Sequence, residues 1–105
     1  MAEIPDKITL IIDRFLKALS KKNILIEQAI LFGSYTQGNF NDWSDIDLAI
    51  VSQAFEGDRF KDRDKIRSTK LDISSDLEPI PYTPNEFNKD DPFVKKIIET
   101  GIRIV

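Results

Sequence analysis

LFGSYTQGNFNDWSDIDLAIV, residues 31–51, is the stretch that decides the fold. An apolar run, Ala29-Ile30-Leu31-Phe32, ends in the small-residue turn Gly33-Ser34. Ten residues follow Ser34, and then Asp45-Ile46-Asp47 heads a second apolar run. Residues 25–32 read as a strand, buried in its second half, and residues 45–52 as a second strand. The unbroken apolar character of the second strand implies cover on both faces. Between them, Ser34 to about Gln37 is expected to form a short helix stopped by Gly38, and 39–44 is turn-rich.

Working outward, residues 6–22 repeat apolar side chains at helical spacing through Ile8, Ile11, Ile12, Phe15, Leu16 and Leu19. Asp6 suits the N-cap, and Lys21, Lys22 and Asn23 suit the C-terminus. Residues 57–70 are expected on the surface as a helix or loop, and 71–82 as an extended segment. Pro79 and Pro81 put that segment at a sheet edge. Thr83-Pro84-Asn85-Glu86 is a capping box. Asp91-Pro92 opens a helix carrying Phe93, Val94, Ile97 and Ile98, with Gly101 at its end, and 102–105 is a last short strand. The expected fold class is α/β or α+β, a small mixed sheet with helices packed against it.

Composition narrows the chemistry. At 105 residues the chain is expected to be a single domain, 1–105. It has no cysteine, which excludes disulfides, zinc–thiolate sites and cysteine nucleophiles. It has no histidine, so a metal site must use oxygen ligands, which favours Mg²⁺, Mn²⁺ or Ca²⁺, and a general base is a carboxylate. A net charge of −3 argues against direct nucleic-acid binding. The basic residues Arg59, Lys61, Arg63, Lys65, Arg67 and Lys70 cluster in 58–70 with Asp58, Asp62 and Asp64, the pattern of a mixed-charge solvated helix. No signal peptide and no apolar run of about 18 residues is seen, so the chain reads as cytoplasmic, with no membrane partner.

The two motifs complement each other. Gly33 lets a phosphate approach the backbone closely, and Ser34 offers a hydroxyl and the start of a helix. Asp45 and Asp47, at i and i+2 of a strand, face one side about 6.6 Å apart and can converge on cations. Without a cation they repel. Each motif alone also reads blandly, as a glycine turn with a serine cap and as a solvated strand end. Tyr35 and Trp43 flank the loop and read as packing residues rather than base-stacking ones.

Taken together, Gly-Ser, ten residues and Asp-x-Asp resemble the nucleotidyltransferase superfamily that includes DNA polymerase beta. More closely, the chain resembles its minimal nucleotidyltransferase (MNT) group, with the likeness reaching the leading helix, IPYTPNEF and PFVKKIIETGIRIV. The resemblance implies a nucleotidyltransferase fold, ATP as substrate, two Mg²⁺ ions and in-line attack on the α-phosphorus. Gly33 and Ser34 would then bind nucleotide, and Asp45 and Asp47 would hold metal. It also implies a third carboxylate on a following strand. Asp72, Asp76 and Glu78 share one parity; Glu78 is preferred and Asp76 is second. In the MNT group the partner is commonly a HEPN-domain toxin, which the MNT protein counters as antitoxin by binding it, adenylylating it or both. Contact inhibition with weak or no catalysis, and transfer to a small molecule such as an aminoglycoside, stay open. One departure is Gln37-Gly38, where family members often carry a basic residue; Arg59, Lys61, Arg63 or Lys65 are the candidates to replace that charge. Homodimerisation through an edge strand or the first helix is also left open.

Overall fold

The computed structural model describes residues 4–41 and 43–105. Its elements run α1 (Asp6–Lys21), β1 (Gln28–Phe32), α2 (Ser34–Gln37), β2 (Ile46–Val51), α3 (Arg59–Ile73), β3 (Leu77–Tyr82), α4 (Pro92–Thr100) and β4 (Ile102–Arg103). The strands form one mixed sheet in the order β3-β2-β1-β4. The β1–β2 and β1–β4 pairs are antiparallel, and β2–β3 is parallel.

Period-two alternation sorts β2 between two cores. Ile46, Leu48 and Ile50 turn to one face, where they meet Ile8, Ile12, Phe15 and Leu19 of α1 and Ile66 of α3. Ala49 and Val51 turn to the other, with Ile30, Tyr82, Phe87 and the α4 residues Val94 and Ile97. A strand covered on both faces carries no polar alternation, as its sequence indicated. Asp47 belongs by parity to the α4 face, beyond the end of that second core. α4 covers only part of the face, and the uncovered part holds the acidic residues.

Local signals set most of the boundaries. α1 ends in a Schellman motif: Asn23 has φ 64°, its N–H donates to Ser20, and the Ile24 N–H donates to Leu19. Its start differs from expectation. Pro5 is the cap residue, no side chain caps the helix, and Asp6 lies inside the first turn, where its charge still suits the helix dipole. β1 begins at Gln28 rather than at residue 25. The Thr83–Glu86 box closes reciprocally, at 2.9 and 3.3 Å, but only a turn follows it. The next helix waits for Asp91, whose carboxylate accepts from the Phe93 and Val94 N–H groups.

Two expectations fail for clear reasons. Residues 71–73 continue α3 and 74–76 form a turn, so the extended segment shrinks to β3. The basic stretch is not uniformly solvated either. Asp62 is 2% exposed and accepts from the Glu56 and Gly57 N–H groups at 2.8 and 2.9 Å, pinning the loop that enters α3. The prolines of β3 behave as expected. The Asp76 and Tyr82 carbonyls face β2, so Pro79 and Pro81, of opposite parity, turn their missing donors to the open edge. Among the described residues no helix is long and apolar enough to cross a membrane.

Ile50→Ala should cost about 2–5 kcal/mol in denaturant unfolding, the range for buried large-to-small changes. Asp62→Ala should cost about 1–3 kcal/mol for each N–H it orphans. A value near zero for Asp62→Ala would mean that the loop finds other acceptors.

Candidate active site

Gly33 follows the end of β1 with φ 80° and ψ −148°, a backbone region that only glycine enters cheaply. Its carbonyl is held by both the N–H and the hydroxyl of Thr36, at 3.1 and 2.8 Å. A Cβ added here would collide with the Asp47 carboxylate. The glycine turn and the second aspartate are therefore in direct contact, which neither motif states alone. Ser34 opens α2 over 34–37, and Gly38, at φ 77°, ends it as expected.

Strand register assembles the rest. Phe32 stands opposite Asp47, and Asp47 stands opposite Glu78. One row thus crosses β1, β2 and β3 on the α4 face. Asp45 lies one residue before β2. Its charge and that of Glu78 both reach Asp47. Burial first, then the negative charges of Asp45 and Glu78, push the Asp47 carboxyl above the ordinary aspartate value of 3.8. Glu78 is half-exposed on the edge strand, with the Lys70 ammonium 3.8 Å from its carboxylate.

Of the three candidates for a third carboxylate, only Glu78 lies within a strand. Asp72 is in α3, and Asp76 is in the turn before β3, where its carbonyl accepts from Ile46. Their shared parity had no meaning across a helix end. The donor set is oxygen only, the chemistry of Mg²⁺, and the missing Cβ of Gly33 leaves the Asp47 carboxylate uncrowded. Among the described residues no three acidic side chains stand close enough to form a ready-made cage.

Two cavities flank the row. One, of about 130 Å³, lies between α3 and β3 and is lined by Arg63, Arg67, Lys70 and Glu78 with Ile66 and Pro79. The other, of about 110 Å³, opens at Gly33 and is lined by Phe32, Gln37, Phe93, Lys96, Ile97 and Thr100. None of Arg59, Lys61, Arg63 and Lys65 lines that second cavity. Lys65 is committed to the Ala54 carbonyl and to Glu56. Tyr35 is buried and stacks on Phe40 at 4.7 Å, a packing residue as expected. Trp43 is not one: it is 86% exposed. The sequence reading missed Lys70 and Lys96 as neighbours of the site, since neither lies near either motif in the chain.

The family model for the nucleotidyltransferase domain matches residues 12–105. The chain belongs to that family. No curated protein matches it significantly. Among solved structures, a Sulfolobus solfataricus protein assigned as a nucleotidyltransferase shares 18% identity at a TM-score of 0.68, covering 92% of this chain and 78% of the other. A chain from a toxin–antitoxin structure solved with AMP-PNP shares 22% identity at a TM-score of 0.61, covering 89% of this chain and 71% of its own. Identities this low speak to the fold, and the mixed sheet with its helices is the fold of these neighbours. In this chain the Gly33 turn and the acidic row meet where β1 ends and β2 begins.

Gly33→Ala should cost about 1–3 kcal/mol from backbone strain alone. It should cost more where the new methyl displaces Asp47. Thermal unfolding that matches wild type would mean that the turn does not hold this geometry. Asp47 gives a pH prediction with a definite sign. Its folded value is raised, so its favourable contribution is complete below pH 3.8 and is lost as pH rises through the raised value. Asp47→Asn should therefore raise the Tm of the metal-free protein at neutral pH by a few degrees at most, because solvent screens a half-exposed site. The gain should vanish below pH 3.8.

Proposed function

We propose that residues 1–105 act as a single minimal nucleotidyltransferase domain in the cytoplasm. In this proposal it transfers AMP from ATP to a hydroxyl group on a partner protein, as the antitoxin of a HEPN-type toxin. The observation that carries the proposal is the Phe32–Asp47–Glu78 row, with Asp45 beside it and Gly33 against it. The half-buried Asp47 carboxylate feels the negative charges of Asp45 and Glu78, an arrangement that destabilises a protein with no cation to bind there. Membership of the nucleotidyltransferase family supports a nucleoside triphosphate as the cation's companion. The fold shared with a chain of a toxin–antitoxin structure supports a toxin as the acceptor.

The chemistry assigns each residue a task. The acceptor oxygen attacks the α-phosphorus, a new P–O bond forms, and the bond to the β-phosphate breaks to release pyrophosphate. Asp45, Asp47 and Glu78 would hold Mg²⁺, two ions in this reading, whose charge offsets that developing on the attacking and leaving oxygens. Glu78, on the open edge, is the carboxylate an acceptor reaches, and it takes up the hydroxyl proton. Gly33 and Ser34 receive the phosphates close to the backbone. A second reading, inhibition by contact with little catalysis, draws on Gln37 beside the glycine turn, where a charged residue would serve the phosphates better.

The test is ATP radiolabelled at the α-phosphate, with Mg²⁺ and the partner that co-purifies from the native host. Wild type should label the partner, and Asp45→Asn with Asp47→Asn should lower labelling by at least about 10²-fold, as for loss of a preorganised charge-stabilising group. A stable complex with no labelling would favour contact inhibition. Labelling that survives the double substitution would contradict the site.

A further inference from the structure

The carboxylates of the row would hold metal, and they offer no positive charge of their own to the phosphates at the Gly33 turn. The cavity at Gly33 has the means to supply one. Phe32 forms part of its wall and is also the row neighbour of Asp47, so the cavity and the acidic row adjoin across the end of β1. Lys96 of α4 is the one cation among the lining residues, and it makes no ion pair with any described residue. Gln37 adds an amide. The Thr100 hydroxyl donates to the Lys96 carbonyl at 2.7 Å, so its proton is spent within α4 and the donors left to an anion are the Lys96 ammonium and the Gln37 amide. Phe32, Phe93 and Ile97 supply apolar walls, and Phe32 meets Phe93 edge-to-face at 5.9 Å. Low-dielectric walls strengthen the pull of an ammonium on an anion. At about 110 Å³ the cavity has room for the phosphate tail and not for a whole nucleoside.

We propose, on the nucleotidyl-transfer reading above, that Lys96 is the phosphate-neutralising residue of this chain and that the β,γ-phosphates of the nucleotide enter the Phe32–Gln37–Lys96 cavity. The last helix thus supplies the charge that Gln37 lacks. A lysine can do this as a point charge without the fixed geometry of a guanidinium. Selectivity follows: Lys96 recognises the phosphate tail and is indifferent to the nucleoside monophosphate.

Calorimetric titration of the full chain in Mg²⁺ with ATP and with AMP tests this. Lys96→Met should weaken ATP binding about tenfold and AMP binding by less than about twofold, while Lys96→Arg stays within about threefold of wild type, the scale of one charge-assisted contact. Lys96 is exposed, so thermal unfolding of both variants should match wild type. Equal losses for ATP and AMP, or no loss for ATP, would overturn the role of Lys96. If ATP binding also falls in Asp45→Asn with Asp47→Asn, nucleotide binding at the row stands regardless of the Lys96 result. Wild type that binds no ATP would overturn both.

Discussion

A half-buried carboxylate among like charges at one end of β2 is the constraint on which the site depends. Asp47 stands in register with Glu78, two residues past Asp45 and in contact with Gly33. None of these neighbours offers it a positive charge. The arrangement is tolerable because the rest of β2 is so well buried. Leu48, Ala49 and Ile50 are fully shielded, and Val51 nearly so, between helices on both faces. Each large buried side chain contributes roughly 1.5–3 kcal/mol, so this strand can carry an unfavourable terminus without losing its pairing. The parallel β2–β3 register then fixes which acid stands beside Asp47. A slip of one residue would replace Glu78 with Pro79 or Leu77 and turn the acid to the opposite face.

The two faces of the sheet have separate duties. α1 and α3 cover one side and hold the larger core. α4 covers the other side only in part, which leaves the row open and places Lys96 beside the glycine turn. Gly101 shows why α4 can come so close. Its φ is ordinary, but a Cβ there would strike the Ile30 side chain and the Leu31 carbonyl. Glycine serves at this position for close approach, whereas Gly33 serves for conformation and for the room it leaves to Asp47.

Much of this was legible in the chain. The order of helices and strands, the turn at Gly33–Ser34, the strand headed by Asp45 and Asp47, and the edge position of β3 rest on short-range signals such as turn residues, apolar runs and prolines; the third carboxylate came from the family resemblance. What escaped the sequence depends on three-dimensional contact. The parity shared by Asp72, Asp76 and Glu78 misled because α3 runs on to Ile73, whose side chain packs against the same core as Ile66. Asp62 read as one charge among many, because its two backbone donors come from a loop whose path cannot be inferred locally. Trp43 read as a packing residue because large aromatics are usually buried, yet Phe40 takes the place against Tyr35 and Trp43 is left exposed. Lys96 gave no signal, since only the packing of α4 against β1 brings it beside the Gly33 turn.

Carboxyl-carbon NMR of Asp47 across a pH titration, with and without Mg²⁺, tests the central claim most directly. A built cation site predicts that the metal-free carboxyl titrates above 3.8 and that Mg²⁺ lowers its midpoint. The same lowering should be absent when Asp45 is replaced by Asn. An Asp47 that titrates at the ordinary aspartate value and ignores Mg²⁺ would mean that the three acids are solvated charges at the strand ends and not a metal–nucleotide site.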